Sequence, residues 1–156
     1  MLYAVLKLVH LLSIIAWVGG MIFAHFALRP AVAALPPPER LTLMHAALGR
    51  FFGIVLAAAV LSLVTGLWMI GNVARQAVQS GGQFHMPLGW TVMAALGIVM
   101  VLVFGHIRYA LYRRLARAVA AQQWPAAGDA LASVRKLVLL NLCLGVLAVA
   151  AVVLLA

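Results

Sequence analysis

The sequence predicts an all-α integral membrane protein, a four-helix bundle with both termini on the outer side, occupying 1–156 as a single domain. Three observations lead there. Of 156 residues, 67% are apolar and 8% charged, with a mean hydropathy of +1.17, whereas soluble domains are about half apolar and a quarter charged. Four stretches, about 8–28, 51–71, 88–107 and 137–156, contain no Asp, Glu, Lys or Arg. Each matches the roughly 20 residues a helix needs to cross a hydrocarbon core of about 30 Å. Finally, eleven Lys and Arg stand against two acids, Glu39 and Asp129, for a net charge of +9, and the basic residues are segregated. Together these exclude a soluble enzyme, a disordered chain and a disulfide scaffold.

The elements follow in order. The first span closes at Arg29-Pro30, and Leu35-Pro36-Pro37-Pro38-Glu39-Arg40 is a stiff turn through which no helix continues. Residues 41–50 read as a short helical lead-in to span two, which Gly71-Asn72 is expected to end. Gly81-Gly82 through Pro87 forms the next loop. After span three, 108–121 continues as helix, Trp124-Pro125 breaks it, and Gly128-Asp129 is the expected cap before span four. The first apolar run is too long for a signal-peptide core and lacks a basic leader, so it is expected to remain as an anchor. The lone Cys143 is expected to be a small core residue.

Nine of the eleven basic residues fall in two connections: Arg29, Arg40 and Arg50 between spans one and two, and Arg108, Arg113, Arg114, Arg117, Arg135 and Lys136 between three and four. Lys7 and Arg75 lie on the other side. The positive-inside rule makes both rich connections cytoplasmic and places the termini outside. The basic charge is thereby explained by the lipid bilayer, with no nucleic acid needed. Ala58, Ser62 and Gly66, Gly19-Gly20, and Asn141 with Gly145 offer small or polar faces expected to serve packing, and they would permit a homodimer. Trp68 and Trp90 belong to the outer interface; Trp17, near mid-span, is a core residue or the wall of a cofactor pocket.

Five histidines are the chemically informative feature, because an ionisable group inside a span is costly and marks function. His10 shares a helical stripe with Tyr3, Ile14, Trp17 and Met21 that is the inward face of span one. His25 lies too far along the same helix to join it in one site. His85 precedes Pro87 at the mouth of span three beside Met86, and His106 ends that span near Arg108, where an imidazolium is welcome. Pairing His10 with His85 requires an offset of 75 residues and pairing His25 with His106 one of 81, so one good layer is expected, not two. His45 is expected to be solvated, and His25 to reach toward the cytoplasmic face. Without acids in the spans, zinc, calcium and magnesium fit poorly. Imidazole with thioether suits copper, and imidazole suits haem iron. Lys7, one turn above His10, is placed to meet a haem propionate.

Leu6-Lys7-Leu8-Val9-His10-Leu11-Leu12, Trp17-Val18-Gly19-Gly20-Met21-Ile22-Phe23 and Leu28-Arg29-Pro30 resemble the opening of the CopD-like (copper resistance D) family of bacterial membrane proteins. Thr65-Gly66, Gly89-Trp90 and the Arg-rich stretch after span three continue the pattern. The resemblance implies copper handling at the bacterial inner membrane. The layout is also similar to the HemJ-like protoporphyrinogen oxidases, which bind haem b through a first-span His; this implicates His10. His85 and His106 fall where single-domain relatives carry His. The Lys those groups place early in span three is missing from Gly89-Trp90-Thr91-Val92-Met93-Ala94-Ala95, which argues against porphyrinogen oxidation.

The main expectation is therefore a small redox or electron-transfer cytochrome. It would hold haem b on His10 and His85, with Lys7, Trp17 and Met21 around the cofactor and an unidentified redox partner. The alternative is a copper transport or homeostasis protein using His10, His85, His106 and Met86, working with a metal-delivery partner. A third reading is an interaction subunit with no cofactor. Any oxidoreductase chemistry would come from the bound haem.

Overall fold

A computed structural model describes residues 1–155. Its helices are α1 (Leu2–Ala31), α2 (Pro37–Gln79), α3 (Leu88–Ala120) and α4 (Trp124–Leu154), each long and apolar enough to cross a membrane. No strand occurs among the described residues. Residue 156, the last of the expected fourth span, lies outside them. The connections 1–2 and 3–4 form the basic end of the bundle; the N-terminus, the 2–3 connection and the end of α4 form the terminal end.

The helices outrun the expected spans. Gly71-Asn72 does not end α2, which continues to Gln79. One internal glycine costs a helix only about 1 kcal/mol, and the residues after it are good helix formers. The stop comes where Gly81 takes a φ of +79° and the Gly82 and Gly81 amides donate to Ala77 and Val78 carbonyls, both at 3.0 Å, a closure that needs a left-handed residue. Gly128-Asp129 is not a cap but lies inside α4, which starts at Trp124 with Pro125 in its first turn. Proline is pre-set for that position because its absent N–H has no partner there anyway. The lead-in at 41–50 is the unbroken start of α2, whose first turn carries Pro37 and Pro38.

Two wide turns interrupt the ladders. In α1, Ala24–Leu28 is π-helical and the Arg29 amide donates to the Ala24 carbonyl five residues back. Pro30 follows directly; it has no amide to donate, and its ring crowds the carbonyl four residues earlier, which the wider turn relieves. In α3, Ile107–Leu111 repeats the pattern.

α1 packs most extensively on α2 and α3 on α4, with α4 also touching α1 and α2. Close approach is set by glycines. A Cβ at Gly20 would run into the Phe51 ring, and one at Gly145 would sit 3.0 Å from Val18 and 3.1 Å from Met100. A Cβ at Gly89 would stand 2.7 Å from the Ala151 carbonyl oxygen. That obstacle is backbone and cannot rotate away. Gly89→Val is therefore expected to push α3 off α4 and cost about 1–3 kcal/mol, read as a lower midpoint of thermal unfolding in detergent, while Gly97→Val, which meets open space, leaves the midpoint within error.

An aromatic joint ties three helices toward the basic end. Trp17 and Phe104 meet edge to face at 5.9 Å, Phe52 and Phe104 at 5.9 Å, and Phe52 and Tyr112 at 5.4 Å. Asn141 on α4 is 1% exposed, and its Oδ1 accepts no hydrogen bond from the described residues. Cys143, expected in the core, is exposed, because it stands two residues from Asn141 and thus turns away from the buried face.

Candidate functional site

His10 lies on α1, half-buried against α2. Its Nδ1–H donates to the Ser62 carbonyl at 2.9 Å, with Thr65 Oγ1 at 3.1 Å from the same nitrogen. A carbonyl can only accept, so the proton is on Nδ1. The Thr65 hydroxyl proton is engaged by the Leu61 carbonyl at 2.6 Å, which leaves the oxygen free to accept from His10. In a neutral ring this fixes the tautomer and leaves the Nε2 lone pair free, the arrangement usual for metal-binding histidines. Gly66 makes the room: a Cβ there would stand 3.2 Å from His10 Cε1. The residues marked in the sequence only as a packing stripe thus cradle the imidazole. A turn further along α1, Ser13 is buried and satisfied by the Val9 carbonyl at 2.8 Å.

The other proposed donors are dispersed. Trp17 and Met21 are 3% and 2% exposed and are consumed by the core. Lys7 and His106 are exposed, His85 is exposed in the 2–3 connection, and Met86 is half-buried. No group of three or more His, Cys, Asp or Glu converges among the described residues. Register explains the separation. Val18 and Met100 both meet the Gly145 position, so α1 and α3 are level at an offset near 82. That places His106 close to the level of His25 and leaves His85 beyond the level of Tyr3, about 10 Å from His10 along the axis at about 1.5 Å per residue.

At the basic end, Tyr112 donates its hydroxyl to the His45 carbonyl at 3.1 Å and stacks on the His45 ring at 5.1 Å. His45 is thus half-buried against α3, not simply solvated. Arg108 lies over the Tyr112 and Tyr109 rings at 5.4 and 5.8 Å, its Nε buried without a hydrogen-bond partner among the described residues.

The fold defines a multi-pass helical membrane protein with one half-buried, hydrogen-bonded imidazole, His10, among apolar stretches that carry no carboxylate. The chain belongs to the copper resistance protein D (CopD) family, whose model matches residues 45–155. The match takes in Ser62, Thr65 and Gly66 but not α1. No curated protein and no solved structure matches the chain.

The family points to copper, and the haem b expectation, with electron transfer, is not supported. Imidazole and thioether are the donors that copper(I) favours.

Proposed function

We propose that the chain handles copper as cargo in the bacterial inner membrane, with its basic end in the cytoplasm, and that His10 Nε2 is the principal ligand. The observation that carries this is the Nδ1–H bond to Ser62, which orients the ring and spares the opposite lone pair.

The thioether partners we assign are on α2, which packs against His10, and on α3, which meets α1 through Trp17 and Phe104. Met69 lies four residues from Thr65 and seven from Ser62, on the face of α2 that receives His10. Met93 lies four from buried Gly89 and seven from buried Met100, on the inward face of α3. Both are half-buried. The helical register brings both within about a turn of the His10 level. With the termini outside, His10 opens toward the outer side, and exposed His85 with half-buried Met86 in the connection at that end supply donors for entry. Neutral imidazole and thioethers bring no charge of their own, so copper(I) would be held by soft donation and keep its single positive charge.

The test is titration of detergent-purified protein with copper(I) against a chromogenic chelator. One copper per chain is expected. Thr65→Val, which removes a second hydrogen-bond acceptor from His10, is expected to weaken binding about tenfold, the low end for groups that orient a ligand, because the Ser62 carbonyl remains. Stoichiometric binding that is indifferent to both Thr65→Val and Met69→Leu/Met93→Leu would refute this assignment.

A further inference from the structure

A pocket opens at the basic end between α1, α2 and α4. Its floor is apolar, with Met44, Leu48 and Val138, and its rim carries His25, Arg29 and Arg135. Arg29 and Arg40 both face Arg135 closely enough to repel it. No acid lines the pocket. Of the two acids in the chain, Asp129 lies in a separate groove with Arg114 and Arg117, and Glu39 is exposed at the start of α2. The π-turn of α1 contributes Ala24 and His25 to the rim. Arg29 and Arg135 thus share one opening that no acid lines, with Arg40 of a third helix near enough to add to the repulsion on Arg135, and the fold alone gains nothing from that repulsion.

Depth indicates what supplies the missing charge. Arg29 is the first charged residue after the uncharged stretch of α1, and Arg135 and Lys136 are the last before that of α4. The rim therefore lies where the hydrocarbon of the bilayer gives way to lipid phosphates. Basic pockets between helices on the cytoplasmic side are suited to anionic headgroups. Arg also presents a planar fork of donors matched to phosphate oxygens.

We infer that this pocket binds the phosphate of an anionic phospholipid between Arg29 and Arg135 at its rim, with the start of its acyl chain over Met44, Leu48 and Val138. The phosphate supplies the counter-charge and the apolar floor selects a lipid over a free anion. The site is independent of copper binding at His10, which lies near the other end of α1.

The test is thermal unfolding of the full chain in neutral detergent with added phosphatidylglycerol, phosphatidylcholine or inorganic phosphate. Phosphatidylglycerol is expected to raise the wild-type midpoint by several degrees, and phosphatidylcholine to leave it unchanged. Arg135→Gln is expected to weaken the phosphatidylglycerol response about five-fold in half-saturating concentration, the effect of one basic residue at a membrane surface. It also relieves the repulsion, so its lipid-free midpoint is expected to rise above wild type, which a merely damaged fold would not do. Arg113→Gln, on the same end but outside the pocket, is expected to respond as wild type. An equal response to phosphatidylcholine, an equal loss in Arg113→Gln, or full reproduction by inorganic phosphate at matched phosphate concentration would each overturn the lipid site, the last leaving a free-anion site in its place.

Discussion

His10→Asn is expected to abolish copper(I) binding while leaving the bundle intact. The asparagine side-chain amide can still donate to the Ser62 carbonyl that now receives His10 Nδ1–H, so the interface between α1 and α2 keeps its hydrogen bond. What vanishes is the Nε2 lone pair. Groups that merely orient a ligand are worth 10–100-fold in affinity, and removing the ligand itself is expected to exceed about a hundredfold. His10→Ala loses both functions: the same loss of copper, together with a lower unfolding midpoint because the Ser62 carbonyl and Thr65 Oγ1 lose their donor from α1. The measurement is chelator competition and thermal unfolding on both variants. Copper retained in His10→Asn would mean that the imidazole is a structural clasp between two helices. Copper lost with an unchanged midpoint would confirm the division of labour between its two nitrogens.

The same residues mark what sequence alone reveals in a membrane chain. Absence of charge exposes four spans at once, because a single unpaired acid or base in hydrocarbon is expensive. Helix ends are poorly marked outside the bilayer: at Gly71-Asn72 and Gly128-Asp129 the expected punctuation is overridden by helix formers and by Pro125. Which way each side chain faces is harder still. Along α4 the lipid-facing Leu140 and Leu147 are as apolar as the buried Leu142 and Val138, so hydropathy carries no contrast, and Cys143, expected in the core, stands on the exposed side. The buried face is written instead in small and polar residues, Asn141, Gly145, Ala148 and Ala151, because helix contact in lipid depends on close packing. His10 was readable as inward from its stripe with Trp17 and Met21. Its chief partner was not, since a backbone carbonyl leaves no trace in the sequence. Thr65 and Gly66 are the trace that remains, and both fall within the family match.

Phe104→Ala is expected to be the most destabilising single substitution at the aromatic joint. Phe104 is 4% exposed and presents its ring to Trp17 of α1 and Phe52 of α2, so it couples the α1–α2 pair to the α3–α4 pair. In a soluble core this change costs about 3–5 kcal/mol, partly because buried hydrocarbon is returned to water. Here that part is largely absent, since an unpacked ring meets lipid that is as apolar as the core. What remains is the unfilled cavity and the lost ring contacts, together about 2–3 kcal/mol. Phe26→Ala removes the same atoms from a side chain that is 64% exposed and is expected to cost under about 0.5 kcal/mol. Reversible unfolding in mixed micelles distinguishes the two. Equal losses would mean that transfer from the apolar phase, not interlocking rings, governs the bundle. A large loss at Phe104 alone would place the stability of this protein in the shape of its interior, where the nearly charge-free spans leave little else to supply it.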